Sequence, residues 1–548
     1  MLKWESHWRG LPSTSPFFGA VAAYLVACLT LGGGTREGFL TDVALQGFAI
    51  PLLLWAGWRS LDIPQAAGGR RAQAALLVCG FAMALPLAHL VPLPPSVWGL
   101  LPARSDFEAN LRAAGLDVGW LPLSVTPSLT WLSALALLPP MAVFLGVLQL
   151  SYVDRRRLSL VILVMGVASV GLGLLQLAQG PTSSLRFYAF TNTSEAVGFF
   201  ANRNHYAALL YCLVLVAAAW AVAVVADFTR AGISLKSRRS TPHVVGLLVS
   251  FTVLVLLVAA QAMARSRAGL GLTIVALLGA FALAYRAPSA AGEARSPLLP
   301  GPATLGASKL LLAAISFALL FGVQFALYRI QERFELDPLA DARLPFARNT
   351  IEAAMAFMPF GSGMGTFVPV YPSFEKASDN VASVYANRAH NDFLELWLEA
   401  GIVGLIAMAG FLIWLLWASW RAWRRGLPGA NHRDNLLACA AAFALVLLLA
   451  HSTLDYALRT AALMGFFAWA VAMLLVPVGI LPAASEATRT KSANASMKGR
   501  SRASRDARRV DGAIRDVSQS DRPFTPSPAR DDWPAAWQPP KPPAGRDK

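Results

Sequence analysis

The residues best placed to do chemistry lie in the run NRAHNDFLELWLEAGIVGL. There His390 and Asn391 are followed by Asp392, Glu395 and Glu399, at the end of the longest polar stretch between apolar runs. A neutral imidazole can take a proton near pH 7, so a histidine here suits general-base work at a membrane surface. A histidine at a helix start also serves as a cap or a hydrogen-bonded surface group.

Three other clusters could contribute. In FFANRNHY, Asn202 or Asn204 can cap the helix that follows. Arg203 beside that helix start makes an anion site, and an ordinary cap with a snorkelling arginine explains the same residues. In ARSR, Arg265 and Arg267 share a tight turn with no acid nearby in sequence. A diphosphate would suit them, because guanidinium forks match phosphate oxygens, and paired interfacial anchoring is the alternative. In HSTLDYALR, Asp455 and Arg459 have the spacing of a one-turn salt bridge.

Helices must position these groups. The chain is 56% hydrophobic and 14% charged, with mean hydropathy +0.51, too apolar for a soluble globular protein. Apolar runs of about 17–25 residues recur, each long enough to span as a helix. About twelve are read, centred near Val26, Leu53, Val78, Ala136, Gly166, Val214, Leu254, Leu277, Ala318, Met408, Leu445 and Ala470. The first run is short, but Gly32-Gly33-Gly34-Thr35 offers no convincing cleavage site, so it counts as a span. Backbone groups cannot go unpaired in lipid, and the alternation of a β-barrel is absent. The expected fold is an all-α polytopic membrane protein with one large loop, roughly Tyr328 to Glu399, containing short helices. Within it Arg348 opens an amphipathic stretch that ends in PFGSGMG. Those glycines follow no strand and suit a turn where backbone approaches a ligand or a helix.

Loop charge sets the orientation. Arg59, Arg70 and Arg71, then Arg155 to Arg157, then Arg230 to Arg239, and Arg421 to Arg433 fall on one side if the N-terminus is cytoplasmic. His390, Arg203, Arg265 and Asp455 then face the other side, and both termini are cytoplasmic. The net charge of +16 follows from these loops and from the tail 483–548, whose Arg- and Pro-rich composition reads as disordered. That tail suits anionic headgroups or a solvated linker, and nucleic acid is not an expected partner. The four cysteines fall inside spans without metal or disulfide spacing.

FFANRNHYA, ARSRAG, PFGSGMGTF, AHNDFLELWLEAGIVGL and HSTLDYALRT, taken in order over about 120–480, resemble the O-antigen ligase and Wzy-type polymerase superfamily. The resemblance implies a GT-C-like glycosyltransferase of the bacterial inner membrane. It would move a glycan from undecaprenyl diphosphate to an acceptor hydroxyl at the periplasmic face, by inversion, without metal or other cofactor. It assigns His390 as base and Arg203 and Arg265 to the diphosphate, with Arg267 and Arg348 as further candidates. Asn202, Asn391, Asp392 and Asp455 support them. The acceptor is a glycolipid such as lipid A-core (ligase), a second lipid-linked repeat (polymerase), or a protein hydroxyl (O-oligosaccharyltransferase). The Arg- and Pro-rich tail departs from the family pattern and leaves room for polysaccharide-assembly partners. A transporter or flippase is the rival class. It should show charged or broken helices at the midplane and internal repeats, whereas here polar residues gather at one face and acids are nearly absent from spans.

Overall fold

The structure, a computed structural model, describes residues 15–35, 40–61, 67–117, 119–230, 241–286, 338–379 and 386–478. The span expected near Ala318 and the tail 483–548 lie outside them. The long helices are α1 (Pro16–Leu31), α2 (Leu40–Leu61), α3 (Ala67–His89), α4 (Pro127–Ala136), α5 (Leu138–Gln149), α6 (Tyr152–Gln179) and α7 (Arg203–Arg230). They continue with α8 (Thr241–Ala264), α9 (Arg267–Arg286), α10 (Pro338–Ala356), α11 (Asp392–Arg424), α12 (His432–His451) and α13 (Ala461–Met473). Among the described residues, nine candidate spans are long and apolar enough to cross a membrane, with α4 and α5 together forming one, and α1 and α13 are shorter apolar helices. The protein is an all-α polytopic membrane protein. Its only described β-structure is a two-residue antiparallel pair, Pro92–Leu93 with Leu121–Pro122.

α7 is the hub. It packs against α8, α9 and α12 and is almost wholly enclosed. Its run Ala217-Ala218-Ala219 and the α12 run Ala440-Ala441-Ala442 are buried. Lipid tails are as apolar as leucine, so close backbone approach through small residues is what holds such helices together. Gln261 on α8 joins α9 to α8 and to the hub, donating to the Gly269 carbonyl at 2.7 Å, to Thr273 at 2.7 Å and to the Ala207 carbonyl of α7 at 3.4 Å.

α11 differs from the sequence reading. It starts at Asp392, so Asp392, Glu395 and Glu399 lie in its first turns rather than in the loop before a span. The helix also breaks at Gly401, whose φ of 56° interrupts the ladder. The glycine loop repairs the break. Ser362 and Gly363 donate their amides to the carbonyls of Leu398 (2.9 Å) and Glu399 (3.0 Å), and Ile402 donates to Pro359 at 2.9 Å. A Cβ on Gly361 would meet the Glu399 carbonyl oxygen at 2.5 Å, which is why this turn needs glycine. PFGSGMG is therefore a helix-docking turn, one of the two uses expected of it.

The described arginine-rich loops gather at the end of the bundle away from His390, and 231–240 lies outside the described residues. Arg156 pairs with Asp434, Arg433 with Asp227, and Arg157 with Asp154 at 3.0 Å. Arg155 is not a loop charge in water as the orientation pattern suggests. It is buried and donates to Val147 (3.0 Å), Leu148 (2.9 Å), Ala472 (2.8 Å) and Leu475 (2.6 Å). One guanidinium thus ties together carbonyls at the ends of α5 and α13. Arg155→Met should lower the thermal transition in detergent, because it removes buried hydrogen bonds from a charged group, each worth about 1.5–3 kcal/mol. Arg157→Met, which removes a partly exposed pair, should shift the same transition far less.

Candidate functional site

A cavity of about 130 Å³ opens at the His390 end of the bundle, lined by Asn192, Asn202, Arg203, Asn204, Arg343, Phe346 and His390. Three separate stretches of sequence meet there, the loop leading into α7, the start of α10, and the turn before α11.

His390 sits at a φ of +50°, a left-handed conformation that histidine tolerates better than most residues. Arg265 shares that φ, so two of the three described non-glycine residues with positive φ are site candidates. Such conformations cost about 1–3 kcal/mol and persist where the surroundings over-determine them. Phe346 stacks on the His390 ring at 5.9 Å and Tyr456 meets it edge-on at 5.0 Å. Asn391 caps α11, accepting from the amides of Phe393 (3.0 Å) and Leu394 (3.1 Å).

The partner of His390 is Asp455. Its Oδ1 lies 3.1 Å from His390 Nδ1 and accepts the Tyr456 amide at 2.9 Å, while Oδ2 accepts the Asn204 side-chain amide at 2.6 Å. Asp455 is fully buried. Burial alone would raise its carboxyl, but the hydrogen bond and charge of His390, with His205 and His451 nearby, hold it well below the usual carboxylate range. An ionised Asp455 can only accept, so Nδ1 is the nitrogen that carries the proton whenever the ring is neutral, leaving the Nε2 lone pair free in that form. That is the tautomer a base requires.

The expected one-turn pair between Asp455 and Arg459 gives way to longer-range contacts. Arg459 reaches Asp392 (3.4 Å), Glu395 (3.4 Å) and Glu399 (3.2 Å), which share one face of α11. Arg388 adds a second cation on Glu395 at 2.9 Å. Asp392 also accepts from Ser452 at 2.7 Å. Asp392 thus fixes the turn after α12 against α11, and that turn carries Asp455.

The arginines divide. Arg203 lines the cavity and bonds Glu195 at 2.5 Å, a partner the sequence reading did not name, while Asn192 accepts its backbone amide at 2.9 Å. Asn202 caps the first turn by accepting from Asn204 at 2.8 Å. Arg265 is exposed in the turn between α8 and α9, and Arg267 begins α9. Their turn touches the Arg203 loop through an Ala196–Met263 backbone bond of 3.2 Å, but neither residue lines the cavity. Arg348 is also outside it, exposed and paired with Asp379 at 2.7 Å. Arg343 takes the place in the cavity, a residue that sequence reasoning missed. The signal for it was there, because Arg343 and Phe346 stand three residues apart and share a helix face.

Residues 252–409 match the family model described as O-Antigen ligase. Over this segment the chain is similar to the O-antigen ligase family. The match supports the superfamily its motifs resemble and, with it, a membrane enzyme of surface-polysaccharide assembly of ligase or polymerase type, for which the family implies a lipid-linked glycan and an acceptor. The matched segment includes Arg265, Arg267, Arg343, Arg348 and His390, while Arg203 and Asp455 lie on either side of it. No curated protein matches the chain.

Removing one member of a buried charge cluster costs about 3–5 kcal/mol, because the opposite charges are left uncompensated. Arg459→Met should therefore sharply lower thermal stability and yield of folded protein. Adding Glu399→Gln, which removes one of the stranded charges, should recover part of that loss in the same melting assay.

Proposed function

We propose that this protein transfers a glycan from undecaprenyl diphosphate to an acceptor hydroxyl at the periplasmic face of the bacterial inner membrane. The reading rests chiefly on His390, held through Nδ1 by a buried carboxylate in a cavity shared with two arginines. The arginine-rich end of the bundle faces the cytoplasm by the positive-inside rule, with both termini there. Residues 1–482 then form the transmembrane domain and 483–548 a separate cytoplasmic tail.

The acceptor oxygen attacks the anomeric carbon while its proton passes to His390 Nε2. The bond from that carbon to the diphosphate oxygen breaks, and undecaprenyl diphosphate leaves with the electron pair. Asp455 positions the ring and stabilises the imidazolium. Arg203 and Arg343 meet the charge growing on the diphosphate, with Arg265 and Arg267 near its path. These guanidiniums supply the positive charge, so the reaction runs without a metal. A single displacement inverts the anomeric centre.

His390→Ala should lower turnover by about 10²–10⁴-fold while donor binding persists. Asp455→Asn should act in the same direction, and Arg203→Ala should weaken donor binding as well. Equal loss of donor binding in the histidine variant, or a product of retained configuration, would overturn the scheme.

Among acceptors we favour a glycolipid, the ligase reaction. Deleting the gene and analysing lipid-linked and surface glycans separates the branches. Full-length lipid-linked chains should accumulate for a ligase, single repeat units for a polymerase, and unglycosylated protein for an O-oligosaccharyltransferase. Unchanged pools would remove the enzyme reading altogether.

A further inference from the structure

A second cavity, of about 370 Å³, lies at the far end of α11, lined by Trp417, Trp420, Arg421, Arg425, Gly426, Leu427 and Pro428. α11 runs 33 residues from Asp392, so this cavity is at the membrane face opposite His390. The Arg421 guanidinium lies 5.5 Å from the Trp417 ring centre, and that of Arg425 lies 5.4 Å from Trp420. Stacking on a ring face holds a guanidinium flat and leaves its N–H edge directed outward.

Arg156, Arg157 and Arg433 each have a carboxylate. Arg421 and Arg425 have none among the described residues, and no acidic side chain lines the cavity. Apolar side chains lead up to it along one face of α11. Ile406, Ile413, Trp417 and Trp420 recur at helical spacing and are 66%, 68%, 52% and 49% exposed. The surface is thus a lipid-facing stripe that ends in two unneutralised, ring-stacked cations.

We propose that this cavity binds the phosphate headgroup of an anionic phospholipid of that leaflet, with Arg421 and Arg425 on the phosphate and an acyl chain along the Ile406–Trp420 stripe. Arginine forks suit phosphate oxygens, and tryptophans at headgroup depth anchor the boundary between chain and headgroup. This site is independent of the glycan chemistry at His390.

The test is native mass spectrometry of the full-length protein, delipidated in mild detergent and offered phosphatidylglycerol or phosphatidylcholine at matched concentration. Phosphatidylglycerol should be retained and phosphatidylcholine should not. The Arg421→Gln/Arg425→Gln variant should lose about tenfold or more of that retention, given the worth of each basic residue near an anionic surface. Arg424→Gln, just outside the cavity, should bind close to wild type. If the double glutamine variant is not monodisperse, Arg421→Lys/Arg425→Lys keeps the charge without the fork and should show intermediate retention. Equal retention of both lipids, wild-type retention in the double variant, or displacement by millimolar inorganic phosphate would overturn the proposal.

Discussion

The site depends on one buried carboxylate. Asp455 belongs to the turn between α12 and α13, yet its two oxygens hold His390 ahead of α11 and Asn204 in the first turn of α7. A carboxylate with no water around it must be matched by donors, and here the donors come from three separate parts of the chain. That requirement is structural and chemical at once. The contacts that make burial of Asp455 tolerable also fix the orientation of the imidazole and bring Arg203, the first residue of α7, to the same cavity.

A second cluster stabilises the first. Asp392, Glu395 and Glu399 form a stripe of negative charge along the start of α11, and Arg459 and Arg388 offset it. The acids of the AHNDFLELWLEAG run are therefore framework rather than chemistry. They hold the α12–α13 turn in the one position from which Asp455 can reach His390. At the opposite end Arg155 does comparable work with backbone carbonyls instead of carboxylates, joining the ends of α5 and α13.

Much of this was legible in the sequence. Hydropathy gives the spans, and arginine spacing sorts the loops to two ends because each loop carries its charge locally. His390, Arg203, Asn202 and Asn391 were visible as helix-start residues with polar neighbours, and the structure puts them where their types suggest. What was not legible is long-range. Asp455 and Arg459 fit an i,i+4 pair by spacing, but the turn they occupy is not a regular helix, and each finds a partner more than fifty residues away. Arg348 attracted notice because it opens a visibly amphipathic stretch. The helix actually begins at Pro338, nearly three turns earlier, and Arg343 is the arginine that lines the cavity. Glu195 was passed over since nothing local marks an acid eight residues before an arginine as its partner.

The junction between the glycine turn and the break at Gly401 is made of main-chain amides and carbonyls. Such a seam constrains a few glycines and leaves side chains at its outer surface unconstrained, as the half-exposed Phe360 illustrates. The large loop can therefore diversify its outward surface while its seating on α11 stays fixed. In evolutionary terms, substitutions on that outward surface can accumulate while the seam, and with it the start of α11, is inherited intact.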